Sequence, residues 1–168
     1  GGPSVPFSAR LNSPTVFSFA AWVRPTGGSG YRTVVSSRTG APGAQRGYIL
    51  YLTPTNTWEF WTGTGTTWHV VTGGAAAMNA WTHIAITRSA SGTKRIYLNG
   101  VQAASTSGAY SPVVDPAHGF HLGCGDDTGG AFRFVGLIDD AAFFPVELGA
   151  LLVQQHRDAG AASFPTPL

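Results

Sequence analysis

The sequence contains one cysteine, one methionine and few charged residues, which make up 11% of its 168 positions. A single cysteine, Cys124, cannot form an intrachain disulfide, and we expect it to be a small buried hydrophobe, with an intermolecular bridge as the alternative. No apolar run approaches the roughly 18 residues of a membrane-spanning helix, so we expect no membrane insertion. Phosphate-binding loops, dinucleotide fingerprints and nucleophile elbows are also absent, which argues against the enzyme classes that those motifs define.

The basic residues are scattered along the chain. Ten Lys and Arg residues against eight Asp and Glu residues give a formal charge of +2. Nucleic-acid binding needs clustered positive charge that neutralises phosphates, and the sequence has no basic stripe. We therefore expect no nucleic-acid partner. The five histidines show no metal-ligand spacing, and we expect His83 to be a hydrogen-bonded core residue.

The composition is typical of short strands joined by many turns. Glycine is abundant at 23 residues, proline reaches 11, and Trp, Tyr and Phe together make up 12% of the chain. Only residues 146–159 have helix-like spacing, with Leu148, Leu151 and Leu152 on one face. A chain of this length can bury one substantial core, so we expect one all-β domain with a short C-terminal helix. Because the chain begins at Gly1 rather than methionine, we also expect a processed, cropped or engineered start.

Residues 81–101 carry the clearest strand pattern, WTHIAITRSASGTKRIYLNGV. Apolar positions alternate in two runs joined by a Ser-Gly turn and closed by Asn99-Gly100, which predicts consecutive antiparallel hairpins. In the first run Ile84 and Ile86 share one face, and both faces are apolar enough for burial. The second run should expose the face that carries Arg95 and Tyr97.

Further strands are predicted along the rest of the chain. The segments FSFAAWVR, RTVVSS, GYILYLT, WEFWT, WHVVT and FHLG are each bounded by turn residues. Residues 131–144 predict a long last strand or a pair of strands with a break at Gly136, and Pro145 then predicts the first turn of the terminal helix. We divide the chain into an N-terminal arm or edge strand (1–16), one domain (17–160) and a tail (161–168).

Four segments in order resemble the laminin-G-like, concanavalin A-like jelly-roll domains. They are FSFAAWVRP with Trp22, AWTHIAITR with Trp81, KRIYLNGVQ with its Asn-Gly turn, and GLIDDAAFFPVELGALLVQQHRDAG after Gly136. The resemblance spans about residues 17–160. It implies two antiparallel sheets packed face to face, one of them concave, with binding loops at the rim. Relatives mostly bind glycans, proteins or cell surfaces, and catalysis is unusual among them.

Two departures from the family pattern affect which of the family's site residues can be assigned to this chain. The segment PSVPFSARLNSP lacks the acidic Gly-Asp loop of many relatives, which weakens a metal site. Ala142 and Phe144 replace the usual Arg and Tyr after the Asp-Asp pair, which suggests a more apolar surface or a partner contact there. By the family pattern Trp22 and Trp81 are packing residues.

The aromatic cluster Trp58, Phe60, Trp61 and Trp68 is the first candidate site, because an exposed indole can stack on the apolar face of a sugar. Alternation points Trp58 and Phe60 toward the core and Trp61 outward with Glu59. The alternative is that all of them fill the core. The residues predicted to bind the ligand are Trp61, Trp68, Tyr110, Asp126, Asp127, Arg38 and Arg133.

Two acidic pairs, Asp126 with Asp127 and Asp139 with Asp140, could supply oxygen ligands to calcium. The resemblance implies a structural calcium held partly by an aspartate of the late strand, which matches Asp139 or Asp140. The other interpretation is that one carboxylate of the pair accepts a bond from neighbouring backbone while the other is solvated. We favour this second interpretation, because the acidic N-terminal partner is missing.

The function predicted from the sequence is a non-catalytic recognition module on the outside of a cell, on a cell surface or on a virion, and the ligand class that we favour is carbohydrate. The alternative is a structural or adhesive surface or virion component that binds a protein or forms a homo-oligomer, favoured by Phe143, Phe144, Cys124 and the low charge content. A glycoside hydrolase is a weaker alternative, because Glu59 and Glu147 are the only glutamates.

Overall fold

The computed structural model describes residues 2–39, 44–108, 112–125 and 132–163. Within these residues the chain forms eleven strands and one helix. They are β1 (Ser4–Val5), β2 (Phe17–Pro25), β3 (Arg32–Thr39), β4 (Arg46–Leu52), β5 (Thr57–Gly63), β6 (Trp68–Ala75), β7 (Thr82–Arg88), β8 (Lys94–Leu98), β9 (Val101–Thr106), β10 (Phe120–Leu122), β11 (Gly136–Phe144) and α1 (Ala150–Gly160).

The strands form two antiparallel sheets packed face to face. One has six strands in the order β1-β10-β3-β4-β5-β6, and the other has five in the order β11-β2-β7-β8-β9. The predicted two-sheet jelly-roll sandwich with a short C-terminal helix is confirmed. The core between the sheets is built from alternate residues of facing strands: Phe17, Phe19, Val23, Leu50, Leu52, Trp58, Phe60, Ile84, Ile86 and Ile96 are all fully buried.

The hairpins predicted over residues 81–101 are confirmed as β7, β8 and β9. Asn99 and Gly100 both have positive φ, 49° and 82°, as tight hairpin turns favour. The Asn99 side chain accepts a hydrogen bond from the backbone N–H of His83 at 3.0 Å, which ties the turn to the start of β7. The Asn-Gly pair therefore sets the register of this part of the sheet.

The expectation that β8 exposes the face with Tyr97 is wrong. Tyr97 is only 3% exposed, because it packs with Ala85 under α1 and the segment that leads into it. Val153 of the helix and Leu148, which precedes it, complete this second apolar layer. The five-stranded sheet is consequently covered on both faces, which explains why β7 is apolar on both of its sides.

The helix begins four residues later than predicted, at Ala150. Its predicted apolar face is also wrong, since Leu151 and Leu152 are 67% and 48% exposed. The reason is Ser18, whose hydroxyl donates to the carbonyl of Val146 and accepts from the N–H of Leu148, both at 2.9 Å. These bonds hold the preceding segment extended along β2, so the helix starts after it and inserts Val153 instead.

The N-terminal arm contributes a short edge strand to the six-stranded sheet. β1 pairs with β10 at one edge of the six-stranded sheet. Farther along the arm, the Leu11 carbonyl accepts a hydrogen bond from the Tyr48 hydroxyl at 2.6 Å, and Asn12 donates to the Ser37 hydroxyl at 2.8 Å. The arm is thus docked on the sheet by both backbone and side-chain bonds.

The two tryptophans assigned to packing differ in burial. Trp22 is buried, but it lies on the helix side of β2, where its indole nitrogen meets Gly160 at the end of α1. Trp81 precedes β7 and is partly exposed, so its assignment to the core is wrong. Cys124 is buried and reduced, as expected. The predicted break at Gly136 is confirmed, because β11 begins at Gly136 and residues 132–135 before it are not in a strand.

Candidate functional site

Strand alternation places an aromatic cluster on the outer face of the six-stranded sheet. In β5, Trp58 and Phe60 point into the core and are fully buried, whereas Trp61 points outward, as predicted. Trp61 lies opposite Ile49 of β4 in the sheet register. Trp68 of β6 lies opposite Gly63, which has no side chain to separate the two indoles.

Five aromatic rings lie close together on this face, with Trp61 among them. Trp61 lies 5.9 Å from Trp68, 5.6 Å from Tyr51 and 6.1 Å from Tyr31, measured between ring centroids. Tyr51 also contacts Tyr31 at 5.1 Å and Phe132 at 5.7 Å. Most of these pairs meet edge to face, an arrangement that leaves ring faces available to a ligand.

The rings enclose a cavity of about 200 Å³, here called the aromatic pocket. It is lined by Tyr31, Arg38, Ile49, Tyr51, Trp61, Trp68 and Phe132. Ile49 is almost completely buried and forms an apolar floor. The volume corresponds to about seven water molecules, which is roughly the bulk of one small polar ring. The pocket therefore has the size and lining to hold a single ring-shaped group.

The Trp61 indole is held in place by Glu59. Its Nε1 donates a hydrogen bond to Glu59 Oε2 at 2.9 Å. The other oxygen of Glu59 accepts a longer bond from the Thr72 hydroxyl on β6 at 3.5 Å. Because the indole is fixed before any ligand arrives, less side-chain freedom is lost on binding.

Arg38 forms one wall of the pocket and is only 9% exposed. Its Nε donates to the carbonyl of Gly125 at 2.7 Å, and its guanidinium lies 5.3 Å from the centroid of the Phe132 ring. In the sheet register it lies opposite Gly47, whose φ of 80° and lack of a side chain allow the close approach of β3. Arg38 thus places a cation beside an apolar, aromatic surface.

Of the residues predicted to bind a ligand, the structure brings together Trp61, Trp68 and Arg38. Arg133 lies elsewhere, on a pocket of about 510 Å³ between the N-terminal arm and β11. Tyr110, Asp126 and Asp127 lie outside the described residues, and their predicted roles stay predictions.

Asp139 and Asp140 line the same second pocket as Arg133. The N–H of Asp140 donates to the Asp139 carboxylate at 2.8 Å, at a bulge where Asp140 adopts a φ of 46°. Calcium needs six to eight oxygens, and the part of the chain that the structure describes contains no cluster of three or more His, Cys, Asp or Glu side chains able to share a metal. The carboxylates of Asp139 and Asp140 alone supply too few oxygens for a calcium site. Whether the protein binds calcium with further ligands stays a prediction.

Sequence reasoning missed Ile49 and Phe132. Ile49 could have been found, because it alternates with the core residues Tyr48 and Leu50 and must therefore share a face with Tyr51. Phe132 could not, because it lies in a turn with a φ of 55° and reaches the cluster from outside the regular strands. The side chains of a turn do not alternate between two faces as those of a strand do, so the sequence pattern does not show where they point.

The two glutamates do not face each other. Glu147 pairs with Arg95 of β8 at 2.5 Å, on the helix side of the five-stranded sheet, whereas Glu59 lies on the outer face of the other sheet. Hydrolysis by paired carboxylates needs both groups across one cleft. This arrangement gives no support to the glycoside hydrolase alternative.

The His83 side chain is buried, as expected, but its hydrogen bonding differs from the expectation. It is buried beside Trp22, and within the described residues its Nδ1 has no hydrogen-bond partner. Burial, with smaller contributions from the nearby His156 and Arg157, lowers its pKa from 6.5 to about 4. The ring is therefore neutral at physiological pH.

Several solved structures share this fold at low sequence identity. The IT-sialidase CBM40 of Ruminococcus gnavus, solved bound to alpha2,3 sialyllactose, has 13% identity and a TM-score of 0.77 over 93% of this chain and 92% of that one. Domain 4 of AbnA, a GH43 extracellular arabinanase from Geobacillus stearothermophilus solved with arabinotriose, has 22% identity and a TM-score of 0.70 over 92% and 71%. The receptor-binding domain of botulinum neurotoxin type G has 19% identity and a TM-score of 0.66 over 86% and 38%.

One of two sequence comparisons gave a match, and that match agrees with the fold. A search of curated proteins found no match. Among the described residues, no helix is long and apolar enough to cross a membrane. A model of the Laminin_G_3 family, described as the concanavalin A-like lectin/glucanases superfamily, matches residues 1–154. The match over nearly the whole chain shows that the protein belongs to this family.

Proposed function

We propose that this protein is a non-catalytic recognition module that binds a carbohydrate in the aromatic pocket. The observation that carries the proposal is the Trp61 indole, fixed by Glu59 among four other rings on an open sheet face. The C–H faces of a sugar ring are apolar and its rim is polar. Such a ring can stack on an indole while its hydroxyls bond to groups at the pocket edge.

The similar structures support this proposal. One was solved with sialyllactose and another with arabinotriose, so the same sandwich accommodates glycans in other proteins. Two further similar structures are the receptor-binding domain of botulinum neurotoxin type G and a structure of botulinum neurotoxin type C, whose cell entry depends on interaction with two ganglioside molecules. We extend the proposal to the location of the protein, outside a cell or on a cell or virion surface, where such ligands are displayed.

A second candidate function is that of a structural or adhesive component that contacts a protein partner or another copy of itself. The exposed Leu151 and Leu152 of α1 favour it. Three features that suggested it from the sequence are used internally instead. Phe143 stacks on Phe17 in the core at 5.5 Å, Phe144 packs on His156 at 4.9 Å, and Cys124 is buried.

The proposal is tested by a glycan array followed by calorimetric titration of the best ligands. Trp61→Ala should weaken binding by about ten- to hundredfold, because it removes the stacking surface at the centre of the aromatic pocket. Trp81→Ala is the matched control, since it deletes a partly exposed tryptophan outside the pocket and should leave the affinity unchanged.

Two results would overturn the proposal. One is an array without any bound glycan from a folded protein. The other is an equal loss of affinity in Trp61→Ala and Trp81→Ala, which would place the ligand elsewhere. Light scattering on the same sample tests the second candidate function, because a stable oligomer would support a subunit contact.

A further inference from the structure

The guanidinium of Arg38 has unused hydrogen-bonding capacity in the aromatic pocket. Its Nε is taken by the carbonyl of Gly125, and Phe132 covers part of the group. Within the described residues, its two terminal nitrogens have neither a hydrogen-bond partner nor a carboxylate beside them. A largely buried cation usually has such a partner, because the loss of hydration is otherwise uncompensated.

Among the described residues, the rest of the pocket supplies no negative charge to Arg38. The other lining residues are five aromatic side chains and Ile49. Among the described residues, Glu59 is the nearest carboxylate in the sheet register, but it lies two rows away, beyond the row of Trp61, and its two oxygens accept bonds from Trp61 and Thr72. The pocket is thus apolar across its floor and positive along one wall.

We infer that the aromatic pocket selects a glycan whose terminal sugar carries a carboxylate, with the sugar ring on Trp61 and the carboxylate on the Arg38 terminal nitrogens. The inference rests on the proposed function and names the ligand class for that same site. A planar guanidinium matches a planar carboxylate through two parallel hydrogen bonds. A cavity of about 200 Å³ holds one ring, so the bound residue is the end of a glycan chain.

Each acidic sugar is compared with its own neutral ester. The probes are the methyl glycosides of glucuronic, galacturonic and N-acetylneuraminic acid, each beside its carboxyl methyl ester, titrated by calorimetry into the wild-type chain. The ester keeps the ring and removes the charge. At least one acid should bind about ten- to hundredfold more tightly than its ester, the size of a lost charged hydrogen bond.

The variants assign the selectivity to Arg38. Arg38→Gln should reduce the acid-to-ester affinity ratio to near one while changing ester affinity by less than about threefold, and Arg38→Lys should keep part of the ratio. Arg10→Gln is the control for net charge, because Arg10 is exposed and lies outside the pocket, and it should keep the full ratio. Circular dichroism confirms that each variant is folded.

The outcomes separate this inference from the proposed function. If neutral glycans bind and Trp61→Ala abolishes that binding, but acids and esters bind the wild type equally, the function stands and the inference fails. The inference also fails if glucose 6-sulfate binds more tightly than every carboxylate, or if Arg38→Gln and Arg10→Gln reduce the ratio equally. If no sugar binds at all, both fail. The acid and ester comparison uses the unmodified protein, so it remains decisive even if Arg38→Gln does not fold.

Discussion

The lone lysine of the chain should make stability rise with pH above neutrality. Lys94 is fully buried, and its ammonium group donates to the carbonyls of Phe60 at 3.2 Å and His69 at 2.5 Å. It also lies 5.1 Å from the centroid of the Phe60 ring. Burial, with a smaller contribution from the charge of Arg88, lowers the pKa of Lys94 from 10.5 to about 7.

The size and sign of the effect follow from that shift. In the unfolded chain Lys94 keeps its proton up to about pH 10.5, whereas in the folded chain it loses the proton near pH 7. Between these values the unfolded state binds more protons, so the free energy of unfolding increases with pH by up to about 1.4 kcal/mol per unit. We expect a gain of about 2 kcal/mol between pH 7 and pH 9.

The assay is urea unfolding followed by circular dichroism at pH 7, 8 and 9. Lys94→Met is the comparison, because it keeps the long apolar stem and removes the titrating group, and its free energy of unfolding should be flat across this range. Parallel curves for the two proteins would refute the argument. So would a wild-type stability that falls as the pH rises.

Three further predictions concern stability. Because burial lowers the pKa of His83 from 6.5 to about 4, the unfolded state takes up its proton first on acidification, and the wild type should lose about 2 kcal/mol between pH 7 and pH 5 by urea unfolding, unlike His83→Phe. Gly47→Ala should cost at least about 1–2 kcal/mol, since the new Cβ would lie 1.8 Å from the Ser37 carbonyl oxygen at a φ of 80°, and a melting temperature equal to that of wild type would contradict this. If Asp139 and Asp140 hold calcium, calcium should raise the melting temperature of the wild type and not that of Asp139→Asn/Asp140→Asn, whereas equal melting in calcium and chelator would exclude it.

Much of the fold could be predicted because a strand has a period of two. The alternation of Ile84 and Ile86 with His83 and Ala85, and the Asn99-Gly100 turn, determine a hairpin whatever surrounds it. The same rule could not show what covers the outer side of a strand. Tyr97 looked exposed because the helix that buries it is distant in sequence, and the helix start depends on bonds to Ser18 that no local pattern reveals.

The candidate site could also be predicted only in part: its strand residues could be predicted and its loop residues could not. Trp61, Trp68 and Arg38 could be proposed from sequence because they lie in strands or at their ends, where alternation and register bring them together. Arg133 could not be placed, because it precedes β11 in a loop that directs it to the second pocket. Phe132, one position earlier, reaches the aromatic pocket. A residue's partners in a loop depend on the path of the backbone, which the sequence pattern does not specify.

The cover that α1 provides makes the two broad sides of the sandwich unequal. The middle of the five-stranded sheet is closed by the helix, while the outer face of the six-stranded sheet carries the aromatic pocket. If the aromatic pocket binds a glycan as proposed, one copy of the domain would hold one glycan end on this side of the sandwich at a time. Firm attachment to a glycan-coated surface would depend on several copies held at a spacing that matches the displayed sugars, so that avidity rather than the affinity of one pocket sets the residence time.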